Sequence, residues 1–110
     1  MQVPERGSLV YLNFSPQSGH EQKGTRPAIV LSPKSFNQVT GFASVCPITK
    51  QQKEYPFEVA LPSGLKIEGV ILTDQLKNVD WKARELKVVD VAPDGVVENC
   101  LQLIQSFLEK

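Results

Sequence analysis

The residue types between Gly19 and Pro27 can move protons and hold an anion. Gly19-His20-Glu21-Gln22-Lys23-Gly24-Thr25-Arg26-Pro27 brings an imidazole, a carboxylate, an ammonium and a guanidinium into one short stretch. An imidazole titrates near neutral pH and can pass a proton. A glutamate, with a reference pKa of about 4.3, is a ready if weak proton acceptor. A guanidinium stays charged and presents a planar fork that matches phosphate oxygens. Together these groups suit acid–base chemistry on a phosphodiester. Polar, glycine-flanked loops are common on protein surfaces, so the stretch gains meaning only from a rigid scaffold. That scaffold begins at once: Ala28-Ile29-Val30-Leu31 is a continuous apolar run, which reads as a buried strand with Arg26 at its mouth.

Length and composition bound the rest. A chain of 110 residues suits one domain, residues 1–110, and 41% hydrophobic content supplies a modest core. A domain this small often gains by dimerising. Twelve basic and 12 acidic residues cancel, which argues against a bulk electrostatic grip on DNA but leaves room for a local basic groove. Cys46 and Cys100 are far apart, lack a CxxC spacing and sit among apolar neighbours, so buried thiols are expected rather than zinc or a disulfide framework. Met1 to Arg6 has no apolar signal core, and no run approaches the roughly 20 apolar residues that span a bilayer. A soluble, cytoplasmic protein is expected.

Read in order, the chain predicts about six strands. Ser8 to Phe14 is the first, rich in β-branched and aromatic residues. Pro27 lacks a donor and so fits the start or edge of the second, which Ser32-Pro33 ends. Lys34 to Val39 has room for a helical turn or two behind Pro33. Phe42 to Thr49 is the third strand, Phe57 to Leu61 alternates as a half-buried fourth, and Gly69 to Thr73 is apolar enough to be central. Asp74 to Ala83 reads as a loop or short helix, and Leu86 to Val91 as the last strand. Pro93 then opens a helix in which Val97, Cys100, Leu101, Ile104, Phe107 and Leu108 form one apolar stripe. Short strands with turn signals plus one terminal amphipathic helix suggest a small α+β barrel capped by that helix.

At this point the chain resembles the MazF/PemK family of toxin endoribonucleases over nearly its whole length. The resemblance rests on Arg6-Gly7, Gly19-His20-Glu21-Gln22, Gly24-Thr25-Arg26-Pro27-Ala28, Val30-Leu31-Ser32, Pro47-Ile48-Thr49, Tyr55-Pro56-Phe57-Glu58-Val59, Gly69-Val70, Asp74-Gln75 and Lys82-Ala83-Arg84. Several ordered blocks with the right gaps are far more specific than any one of them. The resemblance implies an SH3-like β-barrel of the CcdB/MazF type and a homodimer. It implies metal-independent, cofactor-free cleavage of single-stranded RNA, inhibition by a MazE-like antitoxin, and operator DNA as a partner of the toxin–antitoxin complex.

Such a reaction has definite needs. The ribose 2′-hydroxyl attacks its own neighbouring phosphorus, so a base must take its proton, a cation must steady the phosphorane, and an acid must protonate the leaving 5′-oxygen. The resemblance makes Arg26 the phosphorane stabiliser and a candidate proton donor, and Thr49 the hydroxyl that holds a phosphate oxygen. Glu21 matches an acidic position implicated in activity and is a candidate general base. His20, the sole histidine, stands where the PemK branch carries one and is a candidate assistant. Which of these is base and which acid stays open. Lys23, Lys50, Gln51, Gln52 and Lys53 are candidate contacts to the RNA backbone and to unstacked bases. Asp74 and Gln75 are candidate contacts to base edges. Trp81 is either a stacking platform or a packing residue.

One departure matters. The PemK pattern has an arginine two residues before the aspartate matched by Asp74, and here that slot is Leu72. Leucine neither donates a proton nor neutralises charge, so the chain stands closer to the MazF branch, with Arg26 and Thr49 as the pair that matters. Two other readings of the same barrel compete: a toxin that poisons DNA gyrase by binding without cutting, and a degenerate relative that only sequesters antitoxin. Neither needs Arg26 and Thr49.

Overall fold

The computed structural model describes residues 2–13 and 24–109. Among these residues seven strands and two helices follow one another as β1 (Ser8–Asn13), β2 (Thr25–Val30), α1 (Lys34–Thr40), β3 (Phe42–Thr49), β4 (Glu58–Ala60), β5 (Val70–Leu72), β6 (Lys77–Asp80), β7 (Lys87–Val91) and α2 (Asp94–Leu108), with a 3-10 turn at Thr73–Gln75 between β5 and β6. The sheet runs β4-β5-β3-β2-β1-β7, with β6 also on β3. Every pairing is antiparallel.

Strand β3 is the hub. One edge pairs with β2, while the other pairs with β6 through Phe42 to Val45 and with β5 through Ile48 and Thr49. Pro47 cannot donate a ladder hydrogen bond, and it falls where that second edge changes partner. Both faces of the central strands are covered. Leu9, Ile29, Cys46, Ile48 and Ile71 pack with Val97, Cys100 and Ile104 of α2 on one side. Val10, Leu12, Ala28, Val30 and Val45 pack with Val79, Trp81 and Leu86 on the other. Burial on both faces explains why β2 reads as an unbroken apolar run rather than an alternation.

The mixed α+β class agrees with expectation, but the sheet does not close. Among the described residues the end strands β4 and β7 do not pair with each other. Between β6 and β7 the chain buries Trp81, at 2% exposure, and Leu86, at 5%, in the second core. Three further expectations need correction. Residues 74–83, expected as a loop or short helix, contain β6, whose Lys-Asn-Val-Asp sequence buries only Val79. Strand β5 is not central but second from the sheet's end, and its apolarity reflects burial of Val70 and Ile71. Leu108, counted in the helix stripe, is 67% exposed, whereas Phe107 packs edge-on against Phe57 with ring centroids 5.6 Å apart.

The two cysteines are buried and free. Burial pushes both thiols up to about 12, with each other's proximity and Asp74 adding at Cys46. At pH 8 fewer than about one thiol in 10³ is then thiolate, the reactive form. Iodoacetamide is therefore expected to leave the native protein unmodified over hours and to label both cysteines once denaturant is added; mass spectrometry reads the difference. Among the described residues no helix is long and apolar enough to cross a membrane.

Candidate active site

Arg26 and Thr49 come together because their strands run antiparallel. Strand β2 pairs with β3 as Ala28↔Pro47, Ile29↔Cys46 and Val30↔Val45. Extending that register by two residues sets Arg26 opposite Thr49. Strand side chains alternate faces, so Arg26 lies on the face of Ala28 and Val30, and Thr49 on that of Val45 and Pro47. The inner part of this face is the second core. Its outer end opens into a groove of about 480 Å³ lined by Arg26, Thr49, Leu72, Gln75 and Lys77, among others. Pro27 holds the preceding residue to extended backbone, which fixes the stem of the exposed Arg26 at the groove's edge.

Thr49 is held from two directions. Its Oγ1 accepts the Gln51 amide at 3.2 Å, which leaves the hydroxyl proton to donate into the groove. Behind it, Val70 pairs with Thr49, and Gly69 adopts φ +129° so closely that a Cβ there would lie 2.3 Å from the Thr49 carbonyl oxygen. Only glycine accommodates both the backbone angle and the approach. Gly69→Ala is expected to cost about 2 kcal/mol or more in stability, through a strained φ and a backbone clash. A denaturant curve measures the loss.

A second cavity of about 310 Å³ adjoins the groove and shares Thr49, Leu72 and Gln75 with it. Its remaining walls are Gln51, Lys53, Tyr55, Glu58 and Asp74. The Tyr55 hydroxyl donates to Asp74 Oδ2 at 3.0 Å, and this bond to the carboxylate raises the tyrosine pKa above its ordinary value. Both partners are anchored. Thr73, fully buried, donates its hydroxyl to the Phe57 carbonyl at 2.6 Å, and its own carbonyl accepts the Cys46 thiol at 3.8 Å. Phe57 in turn packs edge-on between Tyr55 and Phe107. Glu58 accepts the Lys53 amide at 3.2 Å through Oε2.

The structure sorts the residues singled out from the sequence. Arg26, Thr49 and Gln75 line the groove, and Gln51, Lys53 and Asp74 line the cavity beside it. Lys50 is not among them: it lines a different cavity with Tyr11, Lys66 and Glu68. Gln52 is exposed and lines neither. His20, Glu21 and Lys23 lie outside the described residues. Trp81 is a packing residue, buried with its Nε1 donating to the Asn37 carbonyl at 2.9 Å. Tyr55, Glu58 and Lys77 line the site without having been singled out as site residues. For Lys77 no local signal existed, since its strand was itself missed; for Tyr55 the signal was an exposed aromatic in a polar loop. Among the described residues no group of three His, Cys, Asp or Glu side chains could hold a metal ion.

Comparison with known proteins shows the family. A family model for the PemK-like, MazF-like toxin of type II toxin–antitoxin systems matches residues 5–108. The endoribonuclease toxin MazF of Escherichia coli K12 is 47% identical over 105 residues, which is 94% of this chain and 89% of that protein. The crystal structure of MazF from Deinococcus radiodurans superposes with a TM-score of 0.89 at 45% identity, covering 100% of both chains. A chain of a MazE-MazF crystal structure from the same organism gives a TM-score of 0.90 at 44% identity, covering 98% of each.

Proposed function

Because this chain belongs to the family of PemK-like, MazF-like toxins of type II toxin–antitoxin systems, we propose that it cleaves single-stranded RNA without a metal, with Arg26 and Thr49 gripping the scissile phosphate. The observation that carries the assignment is their common groove at the open end of β2 and β3. The 2′-oxygen bonds to phosphorus, the bond from phosphorus to the 5′-oxygen breaks, and the products are a 2′,3′-cyclic phosphate and a 5′-hydroxyl. The Arg26 fork neutralises charge on the non-bridging oxygens as the phosphorane forms. The Thr49 hydroxyl donates to one of them while its oxygen is held by Gln51. Glu21 takes the 2′-hydroxyl proton and His20 assists by giving a proton to the leaving 5′-oxygen, a reading supported by residue chemistry alone.

Incubation with single-stranded RNA in excess EDTA tests this. Fragments with cyclic-phosphate and 5′-hydroxyl ends are expected, and DNA of the same sequence, lacking the nucleophile, should stay intact. Intact RNA would favour the gyrase-binding or antitoxin-sequestering alternatives. Residues 1–110 act as one domain in this reading, in the cytoplasm, as a homodimer whose activity a MazE-like antitoxin blocks by competing for the groove. The MazE-MazF complexes of Deinococcus radiodurans support the antitoxin. Self-association is supported by the exposed Phe36, Val39 and Phe42, beside an apolar groove lined by Leu31, Leu76, Leu101 and Ile104.

A further inference from the structure

We propose that the cavity walled by Tyr55 and Asp74 is a nucleobase pocket that admits bases bearing an exocyclic amino group and rejects uracil. This deepens the reading of the adjoining groove as the phosphate site and rests on it. The cavity meets the groove at Thr49, so a nucleotide whose phosphate sits between Arg26 and Thr49 has its base, on one side of the cut, within reach. About 310 Å³ accommodates a single unstacked base. Leu72 supplies an apolar floor and Tyr55, 46% exposed, an aromatic wall.

The polar groups then decide which base. Two of the walls are carboxylates, Asp74 and Glu58, and an ionised carboxylate only accepts hydrogen bonds. Asp74 accepts the Tyr55 hydroxyl on Oδ2 and, as a wall of the cavity, keeps further acceptor capacity for a bound base. The Tyr55 hydroxyl, by donating this bond, orients the carboxylate at the cavity wall. Cytosine and adenine present an amino donor on the Watson–Crick edge, and guanine presents an imino and an amino donor side by side. Uracil flanks its one donor with two carbonyl oxygens, which the carboxylate repels. Cytosine and uracil have the same shape, so the distinction is made by hydrogen-bond polarity alone. Lys53 on the same rim offsets the two carboxylates against the incoming backbone.

Sequencing fragment ends after partial cleavage of a randomised RNA pool tests the proposal. Wild type is expected to deplete uracil roughly 5- to 100-fold against cytosine at one of the two positions flanking the cut, the range for one well-made base contact. Asp74→Asn, which turns an acceptor into a group that also donates, should restore uracil at that same position. Tyr55→Phe, which frees the carboxylate but keeps the ring, should weaken the discrimination while keeping the position. Equal use of uracil and cytosine at both positions by the wild type would overturn the pocket. So would an unchanged preference in Asp74→Asn. A wild type that leaves the pool uncut overturns the phosphate-site reading itself, which separates the two failures.

Discussion

Arg26→Ala is expected to slow RNA cleavage by about 10²–10³-fold, the usual loss when one preorganised donor to a developing oxyanion is removed. The argument is electrostatic. Arg26 is exposed at the mouth of β2 and belongs to neither core cluster, so truncating it should change stability by no more than about 0.5 kcal/mol. Loss of activity without loss of fold is therefore the signature. Arg26→Lys keeps the charge and loses the planar fork, and should recover only part of the rate. Thr49→Val, similar in shape but without the hydroxyl, should also slow the reaction. Combined with Arg26→Ala, it should cost less than the sum of the two, since both hold one phosphate. Single-turnover rates on a defined oligonucleotide, with thermal melts alongside, check all four variants. Full cleavage by a folded Arg26→Ala protein would remove Arg26 from the mechanism.

The largest stability loss is expected at Asn37. Its side chain, 0% exposed, ties three segments together. Nδ2 donates to the carbonyls of Pro4 at 2.9 Å and Ser32 at 3.1 Å, and Oδ1 accepts the Ser32 hydroxyl at 2.5 Å. The Ser32 oxygen in turn accepts the Ser44 amide at 2.8 Å, and the Asn37 carbonyl accepts Trp81 Nε1. Asn37→Ala leaves the Pro4 carbonyl and the Ser32 hydroxyl buried without these partners. At about 1–3 kcal/mol for each orphaned group the loss should reach roughly 3 kcal/mol. For a chain of this size that lowers the melting midpoint by some 10–20 °C. Asn37→Asp adds a pH test. Burial raises a carboxyl's folded pKa above its unfolded value of about 4. Its protonated form can still donate one bond, so the variant is least damaged in acid. It then loses stability as pH rises from about 4 toward the folded value. Denaturant midpoints across that range read the slope.

Asn37 also marks where local reading runs out. In Lys34-Ser35-Phe36-Asn37-Gln38-Val39-Thr40 nothing distinguishes the asparagine from its polar neighbours, and Phe36 and Val39 look like the buried face. In the fold Asn37 is buried while Val39 is 85% exposed. Ser32 is five residues away, but the partners of Asn37 at Pro4 and Trp81 are distant in sequence. Strand β6 was hidden for a related reason: a strand that buries one residue carries no period, and only its partner β3 makes it a strand. The lysines of the loop after β3 look alike along the chain, yet Lys53 turns to the cavity and Lys50 away from it.

Composition and periodicity were enough for the apolar strands, the amphipathic helix, the arginine at a strand mouth and the family blocks. Each of these is local: a burial pattern repeats every two or 3.6 residues, and a motif is a run of neighbours. The pairing of Arg26 with Thr49, the setting of Thr49 by a bare glycine just before β5, the aim of Asp74 by Tyr55 and the open edge of the sheet are long-range. They depend on antiparallel register and on which side chains meet across the core, and these are settled only when the chain condenses.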